Sequence, residues 1–303
     1  MDAAITADTA TAEERDGKAI VPQPSQSKAP HGEILIGDSR EVLASLPEGT
    51  FQTCITSPPY WGLRDYGIQG QIGAESTIDA YLADLVAIFR EVRRTLREDG
   101  TLWLNIGDSF TSGGRTWRAP DKKNKGRAME YRPPTPEGLK PKDLIGIPWR
   151  LALALQQDGW YLRSDIIGHK PNCEPESVRD SPTRSHEYVF LFSKSERYFY
   201  DTEAIREPSA DKRTLKNRRS VWAINTEGYA GNHFAVFPPE LVRLCMLAGS
   251  PSSSMVLDPF FGSGTVGEVA IQLGRRFIGI ELSEEYAQLA RERISAAHPS
   301  LKL

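Results

Sequence analysis

The chain has 303 residues, 39% hydrophobic and 25% charged, with a formal net charge of −3 at pH 7. That length suits one large α/β domain or two small ones with a packed core, and the acidic balance excludes a chain-wide basic excess, so any nucleic-acid surface must be local. No apolar run approaches the ~18 residues that span a bilayer, so no membrane partner is expected, and Cys54, Cys173 and Cys245 are far apart with no CxxC pair, which argues against a disulfide framework or a zinc site and suits a reducing cytoplasm.

Residues 1–31 are rich in Ala, Thr, Pro, Ser and charge without periodicity and read as a disordered tail. Residues 32–303 read as one domain. Residues 33–36 form a short strand, and Asp38 or Ser39 can cap a helix over 40–46. An apolar strand over 51–55 runs into Thr56-Ser57-Pro58-Pro59-Tyr60-Trp61. Tyr81, Leu82, Leu85, Ile88, Phe89, Val92 and Leu96 recur at helical spacing and predict a helix over 78–96, stopped by Asp99-Gly100. A strand over 101–106 ends at Gly107-Asp108.

The composition then shifts. Between 111 and 142, Arg115, Arg118, Lys122, Lys123, Lys125, Arg127, Arg132, Lys140 and Lys142 face only Asp121, Glu130 and Glu137, with Trp117 and Tyr131 interleaved. Connections of this length are functional or disordered, and Arg and Lys among aromatics suit a nucleic-acid backbone with stacking. A helix over 147–157, a strand over 160–168 and an apolar strand over 187–193 follow, the last expected to form a hairpin with residues 198–200. A second basic insertion, about 206–232, carries Arg206, Lys212, Arg213, Lys216, Arg218 and Arg219. The C-terminal part reads as a helix over 239–248, a strand over 255–257, a Gly-rich turn from Asp258 to Thr265, a helix over 266–273, a strand over 276–280 ending at Glu281, and a helix over 284–296.

Two stretches carry chemistry. In Ser57-Pro58-Pro59-Tyr60 neither proline can donate to a ladder, and each holds its predecessor extended. Carbonyls of such a corner can point into a cleft beside the hydroxyls of Ser57 and Tyr60 and the rings of Tyr60 and Trp61, offering acceptors for an NH2 group and a flat surface for a planar base. Taken alone it can also be a Pro-rich strand end. The second stretch, strand, Gly-rich turn, helix, strand and acidic residue, is a nucleotide-site unit. Gly262-x-Gly264-x-x-Gly267 formally fits a dinucleotide fingerprint, but too little chain follows to complete that fold. Asp258 also repels a pyrophosphate while suiting an ammonium group. An adenosine ligand with a cationic amino-acid tail, S-adenosyl-L-methionine, fits better.

Asp258-Pro259-Phe260-Phe261-Gly262-Ser263-Gly264-Thr265, Ile278-Gly279-Ile280-Glu281 and the upstream Thr56-Ser57-Pro58-Pro59-Tyr60, in that permuted order, resemble the beta class of amino-group DNA methyltransferases, most closely the cytosine-N4-specific Ser-Pro-Pro-Tyr type. Gly37-Asp38-Ser39, the stretch His233 to Pro238 and His186-Glu187-Tyr188 add to the likeness, which covers residues 33–294. Val266 and Ser181 depart from the pattern, where a second Thr and an Arg are usual.

The resemblance implies an α/β, Rossmann-like S-adenosylmethionine-dependent methyltransferase fold: a seven-stranded, mostly parallel sheet with circularly permuted motif order. The strands before Ser57 and Asp258 then lie side by side and share one crevice. It implies methyl transfer to the exocyclic N4 of cytosine in duplex DNA after base flipping. Adenine N6 is the alternative, and an inert DNA-binding relict or an RNA or protein-glutamine methyltransferase is a more distant one. C5-cytosine chemistry fits worse, because no Cys follows a proline and Cys54 sits in a strand.

Implied catalytic residues are Ser57, Pro58, Pro59 and Tyr60. Implied cofactor residues are Asp38, Asp258, Phe260, Gly262, Gly264, Thr265, Glu281, Phe237 and Pro238. DNA contacts fall to Arg115, Trp117, Arg118, Lys122, Lys123, Lys125, Arg127, Arg213, Lys216, Arg218 and Arg219, with no metal. Implied partners are double-stranded DNA, a second copy in a homodimer and a cognate restriction endonuclease, in the cytoplasm of a bacterium or encoded by a phage.

Overall fold

The computed structural model describes residues 31–63, 65, 67–68, 70–111, 117, 133–173, 179–226 and 237–297. The expected N-terminal tail, 1–31, therefore lies outside the described residues except for His31.

The main strands are β1 (Gly32–Ile36), β2 (Phe51–Thr56), β3 (Leu96–Ile106), β4 (Tyr161–His169) and β5 (His186–Ser193). A small ladder, β6 (Glu207–Pro208) with β7 (Leu215–Lys216), precedes β8 (Val221–Ala223), β9 (Met255–Asp258) and β10 (Arg276–Glu281). One sheet of order β1-β10-β9-β2-β3-β5-β4-β8 results. Only β5 runs against its neighbours. All six residues of β2 are buried, as a parallel strand covered on both faces requires.

The covering helices are α1 (Ser39–Ser45), α2 (Ile78–Thr95) and α3 (Ile147–Gln157) on one face and α4 (Pro239–Gly249), α5 (Thr265–Gln272) and α6 (Glu284–Ala297) on the other. The two-residue period of a strand sorts the core. Cys54, Leu102, Leu104 and Leu257 join Leu43, Phe89 and Leu151 on the first face. Ile55, Trp103 and Val256 join Val242, Val269 and Ile294 on the second. Tyr81, Leu85, Ile88, Phe89 and Val92 of α2 are wholly buried, each such apolar side chain contributing about 1.5–3 kcal/mol. Among the described residues no helix is long and apolar enough to cross a membrane.

The expected adjacency holds: β2 and β9 pair in parallel with Thr53 opposite Val256 and Cys54 opposite Leu257. Three local expectations change. Asp99-Gly100 lies inside β3, and α2 ends earlier, at Thr95. The hairpin between 187–193 and 198–200 does not form, because β5 already has β3 on one edge and β4 on the other. Residues 198–200 instead run over the strand ends: Phe199 N–H donates to the Asp99 carbonyl at 2.9 Å and Tyr200 stacks on Trp103 with centroids 6.3 Å apart. The seven strands gain an eighth, β8, whose three residues lie between polar stretches too short to betray a period.

Candidate active site

The sheet brings the C-terminal ends of β2 and β9 together, the position where open α/β sheets bind ligands. There the Thr56 hydroxyl donates to Asp258 Oδ1 at 2.6 Å, joining residues 202 apart in sequence. The same oxygen accepts the Phe260 N–H at 3.0 Å. Asp258 is 3% exposed. Burial pushes its pKa from 3.8 up to about 7, Glu281 adds to the rise, and the Thr56 and Phe260 hydrogen bonds oppose it. Glu281 accepts the Gly262 N–H at 2.7 Å and the Ser283 N–H at 2.9 Å, and burial raises its pKa too. Among the described residues neither acid has an ion-pair partner, although sixteen such pairs form elsewhere. Two carboxylates in one low-dielectric crevice favour a cationic ligand.

The expected glycines divide. Gly262 has φ +52°, and a Cβ there would meet nothing nearer than the Phe260 carbonyl at 4.0 Å, which leaves room for close approach by a ligand. Gly264 has φ +80°, and its Cβ would lie 2.8 Å from that of Ala290, so its smallness is required by α6. The Phe260 ring is half-buried, edge-to-face with Phe89 at 6.4 Å. Thr265 accepts from Arg293 Nη1 at 2.9 Å, towards α6. Asp38 caps α1, accepting the Arg40 N–H at 2.9 Å, and the Arg40 guanidinium holds its pKa down. The next residue, Ser39, donates to the Pro259 carbonyl at 2.5 Å, bringing the start of α1 to the turn. Phe237 and Pro238 are half-buried at the start of α4, where the Pro238 carbonyl accepts the Leu241 N–H at 3.0 Å.

At the other side of the crevice, Tyr81 Oη donates to the Pro59 carbonyl at 2.8 Å. The Tyr60 ring lies against Gly107, where a Cβ would sit 2.7 Å from Cε2. Asn105, on β3, points its amide nitrogen at Ser57 Oγ (3.3 Å), Tyr60 Oη (3.4 Å) and Glu187 Oε2 (3.1 Å). Glu187 also pairs with Lys170. Burial pushes the Tyr60 pKa well up, and the Glu187 charge pushes it further. Trp61 does not stand beside the base corner: it is 5% exposed, and its indole N–H donates to the Glu75 carbonyl at 2.9 Å.

Asn105, Gly107, Lys170 and Glu187 escaped sequence reasoning as site residues. The signal was a lone amide inside the apolar run 102–106, and the His186-Glu187-Tyr188 stretch noted for its resemblance alone.

Arg115, Arg118, Lys122, Lys123, Lys125, Arg127 and His233 lie outside the described residues. Trp117 is 62% exposed. The ends of that first basic insertion are tied: Thr111 N–H donates to the Asp143 carbonyl and Ile145 N–H to that of Ser109, both at 3.0 Å. Pro133 lies against Gly62, just past Tyr60 and Trp61. In the second stretch, Glu207 collects Arg219 at 2.9 Å, Lys216 at 3.6 Å and Arg218 at 4.0 Å. Those three are thus internally paired, with two positive charges in excess. Arg213 donates its backbone N–H to Asp211 at 3.1 Å.

The family model for DNA methylases of the N6/N4 group matches residues 51–292. The chain is 68% identical to the type II methyltransferase M.SmaI of Serratia marcescens over 262 residues, 86% of this chain and 90% of that protein. It is 61% identical to M.Cfr9I of Citrobacter freundii over 258 residues, 85% and 86% of the two. Among solved structures it is similar to a putative DNA modification methylase of Thermus thermophilus complexed with S-adenosyl-L-methionine: TM-score 0.61, 28% identity, 89% of this chain and 96% of that one. It shares the fold of the cytosine-N4-specific PvuII DNA methyltransferase with TM-score 0.64 at 19% identity, over 89% and 94% of the chains. With the Ser-Pro-Pro-Tyr corner and the Gly-rich turn joined in one crevice, the chain belongs to the N6/N4 amino-group DNA methylase family.

Proposed function

We propose that the chain transfers a methyl group from S-adenosyl-L-methionine to the exocyclic N4 of cytosine in duplex DNA, after the base has left the stack. The observation that carries this reading is the Thr56–Asp258 hydrogen bond, which sets a corner able to accept an NH2 group beside an acid pair without a cation. S-adenosyl-L-methionine supplies an activated methyl on a sulfonium, and the residues fit it: Asp258 faces the methionine ammonium, Glu281 the ribose hydroxyls, and Gly262 leaves space for approach. Phe260, Asp38, Phe237 and Pro238 border that ligand, with Gly264 and Thr265 shaping the turn from the α6 side.

An exocyclic amine conjugated with its ring is a poor nucleophile. Ser57 Oγ and the Pro58 carbonyl accept its hydrogens, draw the nitrogen towards sp3 and free its lone pair, while Pro59 keeps the corner rigid. Orientation and fixed dipoles supply most of the rate. Tyr60 stacks on the flipped base, a contact worth about 1–3 kcal/mol, against a flipping cost of a few kcal/mol. The first basic insertion, entering beside Trp61, embraces the phosphates with Arg115, Trp117, Arg118, Lys122, Lys123, Lys125 and Arg127. Arg213 and the surplus charge of Lys216, Arg218 and Arg219 help choose the sequence. Residues 32–303 act as the catalytic domain.

The choice of cytosine rests on Ser57, since the family's adenine enzymes carry Asp or Asn before Pro-Pro-Tyr. The type II relatives support a companion restriction endonuclease, and their bacterial sources a cytoplasmic place of action. A homodimer is proposed from the family resemblance. Labelled methyl incorporation into duplex DNA, RNA and protein tests the substrate class. Duplex DNA alone should take label, and Tyr60→Ala should slow transfer about tenfold or more. Label in RNA or protein would reject the reading, and normal turnover by Tyr60→Ala would remove the stacking role.

A further inference from the structure

Methylation of an amine leaves a proton to be removed. The N–C bond forms as the C–S bond breaks with its electron pair passing to sulfur, so the amino nitrogen is left cationic with one hydrogen too many. The nearest side chain to that nitrogen in the proposed reading is Ser57, whose neutral hydroxyl cannot keep a proton. What lies behind Ser57 therefore matters.

Behind it is the polar group centred on Asn105, which is 4% exposed. Its amide nitrogen reaches Ser57 Oγ, Tyr60 Oη and Glu187 Oε2, while its buried Oδ1 has no hydrogen-bond partner among the described residues. The reverse orientation would set a carbonyl against a carboxylate, so the donor side faces the three oxygens. The amide has two hydrogens for these three oxygens, so Glu187 takes one at 3.1 Å and the two hydroxyls, at 3.3 and 3.4 Å, share the other with their own hydrogens turned away from it. Glu187 is the strongest acceptor within reach. The three oxygens gather around one nitrogen, and the Glu187 charge stands close enough to Tyr60 to push its pKa up beyond what burial does. Gly107 makes the arrangement sterically feasible. A Cβ there would fall 2.7 Å from Tyr60 Cε2 and 3.4 Å from Glu187 Cγ.

We infer that Glu187 is a positioning residue that orients a Ser57–Tyr60 hydroxyl chain and receives, through it, the proton released by the methylated amine. The inference rests on the amino-methyltransferase reading. The proton on nitrogen passes to Ser57 Oγ, the Ser57 hydrogen to Tyr60 Oη, and the Tyr60 hydrogen to Glu187, which becomes a neutral acid. Its side chain is 22% exposed, so the proton then leaves to water. No oxidant or reductant is involved. While Glu187 is ionised the chain points away from the base, and Ser57 Oγ presents a lone pair to the incoming NH2 group.

Among the described residues, few groups face Glu187. Lys170, after β4, forms its ion pair, and Tyr60, after β2, is its titratable neighbour. β3 presents the neutral Asn105, and β4 presents Gly168 opposite it in register. Asp108 turns away to cap α3 through the Gly146 and Ile147 N–H groups at 3.0 and 3.1 Å. His169 and His186 form the next cross-strand pair.

The test is the single-turnover rate of methyl transfer to duplex DNA by the full chain, followed from acid to alkaline pH, with S-adenosyl-L-methionine binding measured by calorimetry. Glu187→Gln should transfer about 10²-fold more slowly, lose the acid limb of the profile and bind the cofactor as the parent does. Glu187→Asp should recover part of the rate and keep the limb. Without any turnover, Glu187→Gln should also let Tyr60 ionise at lower pH, read as the ultraviolet difference from the same variant carrying Tyr60→Phe. Parental rate, a persisting acid limb or an unmoved Tyr60 titration in Glu187→Gln would overturn the relay. Cofactor binding lost together with rate in both Glu187→Gln and Lys170→Gln would make the pair merely structural and overturn it as well. A parent that methylates no DNA overturns the underlying reading, a result separate from any difference among variants.

Discussion

Asp258 and Glu207 are both acids drawn in from solvent, and the protein treats them in opposite ways. Asp258 accepts from a hydroxyl and a backbone N–H but has no cation among the described residues, and its pKa rises to about 7. Burial pushes Glu207 up too, yet Arg219, Lys216 and Arg218 outweigh it and its pKa falls. A carboxylate that the fold leaves uncompensated at a strand end costs stability and keeps its affinity for a positive ligand. A carboxylate ringed by cations organises those cations instead.

Removing the uncompensated acid should have the largest effect. Asp258→Asn keeps an acceptor for Thr56 and Phe260 but loses the charge, and cofactor affinity should fall by about 2–5 kcal/mol, measured by calorimetry. The apo protein should move the other way. Because the folded pKa lies above the unfolded one, the stability contributed by protonated Asp258 is complete below pH 3.8 and is lost as pH rises through about 7. Asp258→Asn should therefore lose less thermal stability than the parent between mildly acid and mildly alkaline pH. Cofactor affinity of the parent should rise over that interval, since a cation prefers the ionised acid.

Gly107→Ala comes next. Its Cβ cannot coexist with the Tyr60 ring, so methyl transfer should fall about 10²-fold, with a stability loss of about 1–3 kcal/mol in denaturant titration. Cofactor binding, on the far side of Asp258, should survive. The smallest effect belongs to Glu207→Gln. It should leave the melting temperature nearly unchanged but raise the local excess from two positive charges to three, raising DNA affinity at low salt and steepening the dependence of log affinity on log salt by about one unit. An unchanged slope would remove the β6–β7 ladder from the DNA surface.

Much of this was legible in sequence because it is local. Helical spacing gave α2, capping chemistry gave the start of α1 at Asp38, and the two motifs gave the pairing of β2 with β9. What stayed hidden depends on which strands become neighbours. Asn105 reads as a blemish in an apolar strand until β3 is placed between β2 and β5, which sets Ser57 and Glu187 on either side of it. Residues 198–200 look like a strand until both edges of β5 are seen to be taken. Gly264 matches a ligand-binding turn in sequence, yet α6, arriving 26 residues later at Ala290, is what excludes a side chain there. Lys216, Arg218 and Arg219 look free until the ladder folds them onto Glu207.

The central claim is that the Ser57 corner and the Asp258–Glu281 crevice form one site that methylates the amino group of cytosine. Its most direct test is mass spectrometry of the nucleosides released from duplex DNA after incubation with the purified chain and S-adenosyl-L-methionine. N4-methylcytosine should appear, and should vanish in Asp258→Asn and Ser57→Ala alike. N6-methyladenine in its place, or no methylated nucleoside at all, would contradict the account.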